Sequence, residues 1–218
     1  YDEAEYIAHS INSFVRKGVF SYGDSAVLYR TNAQSRLLEE RFVRENIPYK
    51  IVGGVNFYAR KEIKDLLCYL KTIDNAQDDL AVKRIINVPK RGIGATTIAK
   101  VQDYADENGM SFYAALRQAE EISTLSKATA TKIRPFVTFI QMLRSKLPYI
   151  SVEQLMDEII EDTGYVAELD AEGTDEARAR IENIDELISK IVAYEESVEQ
   201  PTLSGFLEEV ALIADIDN

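Results

Sequence analysis

One short segment of the chain combines bases, glycines and hydroxyl side chains in an order that suits phosphate binding. Residues 89–97 read PKRGIGATT, and the last of them open a predicted helix. Backbone N–H groups at a glycine turn and the positive end of a helix dipole both attract a phosphate. We therefore predict phosphate contacts through Lys90, Arg91, Gly92, Ile93, Gly94, Thr96 and Thr97.

A glycine turn of this kind between two helices is similar to the helix-hairpin-helix motif, which grips duplex backbones without reading their sequence. Ile93 is expected to anchor the turn in the core while the bases and hydroxyl groups stay outside. The alternative is a plain connecting loop with two exposed bases.

A second group of polar residues lies where a predicted strand passes into a predicted helix. Arg30 and Asn32 follow the apolar run at residues 25–29, at the kind of edge where α/β proteins bind ligands. Arg30 can pair with a phosphate through its planar guanidinium, and Asn32 can hydrogen-bond a base edge or a sugar. We predict that a ligand with a phosphate, such as a nucleic acid, is contacted here. The alternative is that Asn32 caps the helix and Arg30 pairs with an acid.

The segment after the second predicted strand offers a further contact of the same kind. Gly53 and Gly54 permit a tight turn, and Asn56, Phe57 and Tyr58 follow it. An aromatic ring in that position can stack on an unpaired base. We predict that Asn56 and Phe57 contact single-stranded DNA; the alternative is that the aromatic rings belong to the core.

No catalytic or metal-binding pattern is recognisable in the sequence. The nearest match to a phosphate-binding loop, Gly18–Ser25, carries Asp24 where a lysine must stand, and a carboxylate there repels a phosphate. His9 is the only histidine and Cys68 the only cysteine, which excludes a His-rich metal cluster or a Cys/His nucleophile pair of the usual kind. We predict no catalytic residue, no metal site and no cofactor in this chain.

Charge is distributed unevenly along the chain. The net charge is −12, yet residues 1–100 carry 16 Lys and Arg against 12 Asp and Glu, whereas residues 101–218 carry 9 against 25. A polyanion is attracted to the first part and repelled by the second. We expect the acidic part to face away from DNA or to dock other domains.

Hydrophobic periodicity predicts a mainly α chain with a small α/β part. Two apolar runs, 25–29 and 49–52, are predicted strands on either side of one helix, which implies a parallel pair with a right-handed crossover. A break is expected near Pro135, inside the predicted helix 126–146. The predicted helices are 2–17, 33–45, 61–73, 80–86, 96–108, 111–118, 126–146, 151–164, 174–196 and 203–214.

Four motifs together resemble the UvrD/PcrA/Rep family of superfamily 1 DNA helicases. They are VLYRTNAQSR at 27–36, IPYKIVGG at 47–54, FYARKEIKDLLCYL at 57–70 and NVPKRGIG at 87–94. They stand in the order and spacing of the family, with a dense match over residues 20–110 and a collinear one to the end. Helicases of this family have two RecA-like motor domains, each with an inserted accessory domain, and use ATP to move 3′ to 5′ on single-stranded DNA.

The resemblance implies a domain layout and places the candidate residues in it. Residues 1–60 correspond to part of the second motor domain (2A), as a partial RecA-like parallel β-α-β lobe. Residues 61–218 correspond to its all-helical accessory domain (2B), with the helix-hairpin-helix-like loop. Arg30 and Asn32 match positions that touch the single strand, and residues 90–97 match the accessory segment that contacts the duplex. Asn56 stands where relatives often carry Lys or Arg.

The catalytic parts of the family do not occur in this sequence. This sequence lacks the family's phosphate-binding loop, Mg²⁺-binding acids, arginine finger and T-x-H-x-x-K-G-L-E motif. The resemblance therefore implies a fragment of an ATP-dependent DNA helicase that binds DNA and is not catalytic alone. ATP and Mg²⁺ would serve the longer protein, whose remaining helicase domains are expected partners together with single-stranded and duplex DNA. The chain also begins without Met inside a predicted helix, as an excised piece would.

A different class of function stays open beside this one. The chain would then be a non-catalytic, acidic helical module whose C-terminal half recruits a protein partner. In either case Cys68 cannot form an internal disulfide, which agrees with a reducing compartment. Neither a membrane-spanning apolar run nor a signal peptide is recognisable, so we expect a cytoplasmic protein without a membrane contact.

Overall fold

The computed structural model describes residues 2–216, with side chains from residue 3 to residue 214, and that part of the chain is mainly helical. Three short 3-10 turns lie at Tyr22–Asp24, Asn32–Gln34 and Phe57–Ala59. The helices are α1 Asp2–Arg16, α2 Ser35–Arg44, α3 Lys61–Asp74, α4 Asp79–Ile85, α5 Ala95–Asn108, α6 Phe112–Arg117, α7 Lys127–Lys146, α8 Val152–Thr163, α9 Tyr165–Glu172, α10 Asp175–Ser197 and α11 Leu203–Ile216.

The helix ends follow local signals that the sequence carries. Gly109 and Gly164 end α5 and α8 with φ of 61° and 67°, a left-handed conformation that glycine adopts without a steric cost. At the start of α8, the N–H of Gln154 donates to Ser151 Oγ at 3.1 Å, and the N–H of Ser151 donates to Gln154 Oε1 at 3.0 Å. This reciprocal pair is the capping box that the sequence predicts.

Two predictions about the helices were wrong. Helix α7 runs through Pro135 without a break. Pro135 and Thr131 are both exposed, so water can reach the Thr131 carbonyl that loses its helical partner. The other miss is α9, which starts at Tyr165 directly after the glycine that ends α8.

The predicted strands are not formed within residues 2–216. Segments 25–29 and 49–51 have no regular secondary structure, although the backbone of Ser25 is extended, with φ of −106° and ψ of 142°. A strand needs hydrogen-bonding neighbours, and two short segments do not supply a stable sheet. Leu28 is 94% exposed and Val52 is 88% exposed. Leu28 and Val52, whose apolar character contributed to the strand predictions, therefore lack cover in this structure, whereas Val27 and Tyr49 pack partly against the core of unit 1.

The chain divides into two compact units. Unit 1 comprises residues 2–64, 169–190 and 208–216, and unit 2 comprises residues 65–168 and 191–207. In unit 1, α1 packs on α2 around Ala8, Phe42 and Ile47. The core of unit 2 includes the fully buried rings of Tyr69, Phe112, Phe136 and Phe206. The domain boundary at residue 60 stays a prediction about the longer protein.

Unit 1 contains a buried carboxylate that several helices share. Glu40 is 4% exposed; its Oε1 lies 3.0 Å from Arg36 Nη1 and its Oε2 lies 3.3 Å from Lys190 Nζ. The Tyr58 hydroxyl donates to Glu40 Oε1 at 2.7 Å. Burial opposes ionisation of Glu40, but Arg36, Lys190 and Tyr58 together hold its pKa below the usual value. The sequence predicts the Arg36–Glu40 pair from its spacing, and the structure confirms it.

A second buried group adjoins the start of α3. Arg60 is 8% exposed and donates to Ser35 Oγ and to Asn183 Oδ1, both at 2.7 Å. Asn183 Nδ2 in turn donates to Glu62 Oε1 at 2.6 Å. Ser35 lies on α2, Glu62 on α3 and Asn183 on α10, so these hydrogen bonds, together with Arg60 just before α3, connect the three helices.

Replacing Lys190 by alanine should destabilise unit 1. It removes one of the two cations that compensate the buried Glu40 carboxylate, so we expect the free energy of unfolding to fall by about 3 kcal/mol. The matched control is Arg178→Ala on the same helix, where Arg178 and its partner Asp175 are 69% and 94% exposed and the expected loss is below about 1 kcal/mol. Urea denaturation followed by circular dichroism measures both. Equal losses in the two variants would contradict a buried ion pair at Lys190.

Candidate nucleic-acid interface

The basic loop, defined here as residues 86–94, connects α4 to α5 within unit 2. Gly92 has φ of 71°, a conformation that other residues rarely adopt. Gly94 is extended, with φ of −89° and ψ of 175°, and it precedes α5 without a side-chain cap. The chain therefore turns at Gly92 and enters α5 with the first backbone N–H groups uncovered.

One side of the basic loop faces the core of unit 2. Ile93 is 1% exposed, which confirms the predicted anchor. The Asn87 side-chain oxygen accepts hydrogen bonds from the N–H groups of Arg91 at 2.8 Å and of Ile93 at 3.2 Å. The Arg91 guanidinium also points inward, where it donates to Tyr69 Oη at 2.6 Å. Two of the seven predicted duplex-contact residues thus hold the loop from within.

The other side of the loop faces solvent. The N–H groups of Thr97 and Ile98 donate to the Gly94 carbonyl at 3.0 and 3.1 Å, so the N–H groups of Ala95 and Thr96 have no acceptor inside α5. Uncapped N–H groups at a helix start carry partial positive charge and bind anions. The exposed members of the predicted set are Lys90, Gly92, Gly94 and Thr96, with Thr97 half-buried.

Lys132 joins this surface although sequence reasoning missed it. A side-chain carbon placed on Gly92 would lie 3.5 Å from Lys132 Nζ, so the ammonium group sits directly beside the turn. Lys132 is exposed and lies on α7. No signal in the sequence points to it, because a lysine on the outer face of a helix is usually only a solvated charge.

In unit 1, Arg30 and Asn32 are exposed side by side. The Gln34 side chain accepts from the backbone N–H groups of Arg30 at 2.8 Å and of Thr31 at 3.2 Å. Thr31, not Asn32, occupies the N-cap position of the 3-10 turn. The guanidinium of Arg30 and the amide of Asn32 make no hydrogen bond or ion pair within residues 3–214, so both remain available to a ligand.

The aromatic segment after Gly53 and Gly54 is placed differently. Phe57 is fully buried, packs edge-to-face on Tyr58 at 5.1 Å between centroids and lies under the Arg60 guanidinium, also at 5.1 Å. Its N–H donates to the Glu39 carboxylate at 2.9 Å. Phe57 thus lies in the core, which is the alternative that the sequence left open. Stacking on a base would require the ring to leave this position. Asn56, just before it, is half-buried.

The Gly18–Ser25 segment, the nearest sequence match to a phosphate-binding loop, is closed by its own side chains. In the Gly18–Ser25 segment, the Asp24 carboxylate accepts from the N–H of Ser21 at 2.8 Å and from its hydroxyl at 2.6 Å, so the turn is closed by an anion rather than open to a phosphate. Within the part of the chain that the structure describes, no cluster of His, Cys, Asp and Glu suits a metal ion. None of its helices is long and apolar enough to span a bilayer.

The chain is similar to known proteins over its whole length. The family described as the UvrD-like helicase C-terminal domain matches residues 1–218. The ATP-dependent DNA helicase PcrA of Staphylococcus aureus (strain COL) is 46% identical over 218 residues, which cover 99% of this chain and 30% of that protein. PcrA of Staphylococcus epidermidis gives the same identity and coverage. The chain thus spans 30% of the length of these relatives.

Alanine substitutions at the two loop glycines should differ sharply. Gly92→Ala forces a side chain into a left-handed conformation and should lower the free energy of unfolding by about 1 kcal/mol or more. Crowding is not the reason, because the new carbon would meet only Lys132 at ordinary contact distance. Gly94 has negative φ and open space around it, so Gly94→Ala should change stability by less than about 0.5 kcal/mol. Urea titration compares them, and equal effects would contradict the described turn.

Proposed function

Because the chain belongs to the UvrD-like helicase C-terminal domain family, as the four sequence motifs predict, we propose that it is a DNA-contacting fragment of an ATP-dependent DNA helicase. ATP and Mg²⁺ belong to this proposal as ligands of the longer protein, and no role in holding them is proposed for the residues of this chain. Movement 3′ to 5′ on DNA belongs to the same proposal and to that longer protein. The chain contributes contacts to DNA and to the remaining helicase domains.

The observation that carries this proposal is the outer side of the basic loop. Exposed Lys90, the turn at Gly92 and the uncapped start of α5 present positive charge and backbone donors together. Lys132 adds a second ammonium group beside Gly92. Donors of this kind bind phosphates and distinguish no base. This surface of the proposed accessory domain, residues 61–218, therefore contacts the backbone of duplex DNA.

The proposed single-strand contact lies in unit 1. Arg30 offers a guanidinium fork for a phosphate, and Asn32 offers an amide for a base edge or a sugar. Both side chains are exposed and without a partner in the described chain, whereas a purely structural pair would be bonded to neighbours. Asn56 completes the proposed set at the edge of the aromatic segment. Phe57 supports that segment from the core.

Residues 1–60 are proposed to be part of a RecA-like motor domain. Segments 25–29 and 49–51 flank α2 in the order strand, helix, strand that such a domain requires. The uncovered side chains of Leu28 and Val52 are what buried strands would present to neighbours. In the longer protein, further strands would pair with these segments and complete the parallel sheet.

Loss of charge from the loop surface tests the duplex contact. Fluorescence anisotropy would follow binding of the chain to a labelled DNA hairpin with a 3′ tail over a range of salt concentrations. Lys90→Ala and Lys132→Ala should each weaken binding and reduce the slope of log K against log salt by about 1, since each removes one phosphate contact. The matched control is Lys71→Ala on α3; Lys71 is exposed and lies two positions from the inward-facing Tyr69, hence on another face of the helix.

Either of two results would contradict the duplex contact. One is absence of binding by the unaltered chain at low salt, which would favour the acidic helical interaction module instead. The other is wild-type affinity and salt slope in both Lys90→Ala and Lys132→Ala.

The single-strand contact is tested with the same hairpin carrying or lacking its 3′ tail. Arg30→Ala should weaken binding to the tailed hairpin several-fold, because one phosphate contact to the single strand is lost. Its affinity for the blunt hairpin should stay unchanged. Arg16→Ala, an exposed arginine at the end of α1 in the same unit, provides a control with equal loss of charge. Equal weakening on both hairpins would show that Arg30 does not contact the tail.

A further inference from the structure

The Arg91 side chain lies in a cage of backbone oxygens. Its Nη1 atom is 2.9 Å from the carbonyl oxygen of Ile85, and other carbonyl oxygens of the loop surround it. Ile85 ends α4, where the last carbonyl groups of a helix lack intrahelical partners. Arg91 therefore caps α4 with a positive charge at the negative end of its dipole. The remaining contacts of Nη1 are the carbonyl oxygens of Ile86 at 3.3 Å, Val88 at 3.1 Å and Pro89 at 3.3 Å.

Aromatic side chains close the cage. The guanidinium carbon lies 5.4 Å from the centre of the Phe136 ring and 6.0 Å from that of Tyr69. Burial raises the pKa of Tyr69 although Arg91 works in the opposite direction, so the hydroxyl keeps its proton. It accepts from Arg91 Nη2 at 2.6 Å and donates to the Val88 carbonyl at 2.5 Å.

The backbone of Arg91 is held as well. Its N–H and that of Ile93 both donate to the Asn87 side-chain oxygen. The backbone N–H of Arg91 and both of its terminal guanidinium nitrogens are thus engaged with the protein itself. Gly92 lies between Arg91 and Ile93, whose N–H groups are held by Asn87. Its left-handed turn places Lys90 and the start of α5 on the outer side of the loop.

We propose that Arg91 is a positioning residue, which shapes the basic loop for DNA from the inside and makes no phosphate contact of its own. This inference rests on the proposed duplex contact of the loop and changes the role of one of its predicted residues. Lys90 and the backbone N–H groups at the start of α5 bind the phosphates. Arg91 fixes the position and orientation in which the loop presents these donors to the duplex.

Lysine cannot take over this role although it keeps the charge. The arginine side chain presents five donors in a planar fork, so it can serve several carbonyl groups and a hydroxyl in fixed directions. The lysine side chain ends in a compact ammonium group, which is more strongly hydrated and lacks the planar fork of donors. A phosphate contact, by contrast, tolerates lysine as a point charge.

Arg91→Lys, Arg91→Ala and Lys90→Ala separate the two roles in the salt-dependent hairpin assay. Arg91→Lys should weaken binding by about tenfold, from the loss of hydrogen bonds to a charged group, with an unchanged salt slope. Arg91→Ala should weaken it at least as much, again with the wild-type slope. Lys90→Ala should instead reduce the slope by about 1. Wild-type affinity in Arg91→Lys, or a slope reduced by about 1 in Arg91→Ala, would overturn the proposal.

Amide hydrogen exchange on the same variants supplies a readout without DNA. In Arg91→Lys the N–H of Ile93 should lose protection while the amides of α5 and α7 keep theirs, because the loop loosens and the helices remain. Lys90→Ala should exchange like the unaltered chain. Unchanged protection of Ile93 in Arg91→Lys, or a loss of protection throughout α5 and α7, would overturn the positioning role. If the unaltered chain fails to bind the hairpin, the duplex proposal fails, and the exchange result still decides whether Arg91 holds the loop.

Discussion

Unit 1 depends on the Glu40 carboxylate, which is buried and therefore must be compensated from several directions. Burying an unpaired carboxylate costs far more free energy than a single mutation usually changes. Arg36 meets the charge from one turn earlier on α2, Lys190 from α10, and Tyr58 from the 3-10 turn before α3. Lys190 also reaches Glu209 of α11 at 2.6 Å. A shift of α2 within this unit would separate these charges.

Unit 2 uses a half-buried cation, Arg91, in a different way. Arg91 is compensated by carbonyl oxygens and aromatic faces, not by a carboxylate. Its charge is thus used to stabilise the end of α4 and the path of the basic loop. The two neighbouring basic residues, Lys90 and Arg91, therefore differ in role. Lys90 is exposed to solvent, where we propose that it contacts a phosphate, and Arg91 is proposed to hold the loop in the conformation that presents Lys90.

The two extended segments of unit 1 show what this chain lacks by itself. Their sequences have the apolar content of buried strands, yet Leu28 and Val52 remain uncovered. The helical parts satisfy their backbone hydrogen bonds internally, so they form without outside help, whereas a strand depends on a neighbour. The matched relatives are much longer than this chain, and the proposal of a motor lobe accounts for the difference if further strands of the longer protein pair with these segments.

The sequence by itself determined whatever depends on near neighbours and on family motifs. Glycine positions marked the ends of α5 and α8, the Ser151–Gln154 spacing predicted a capping box, and the order of the motifs identified the family. The sequence also predicted correctly that Ile93 is buried, because an apolar side chain between two glycines gains free energy by packing into the core. Such features are decided within a few residues along the chain.

Tertiary structure alone decided which polar and aromatic side chains face inward. Arg91 and Lys90 are adjacent and both carry a positive charge, but only Arg91 contacts carbonyl groups and the rings of Tyr69 on α3 and Phe136 on α7. Phe57 meets Arg60 and Glu39 in the core, and Lys132 arrives beside Gly92 from another helix. Each outcome depends on partners far away in the sequence, and the cost of burying a charge or exposing a ring depends on those partners. No local pattern records them.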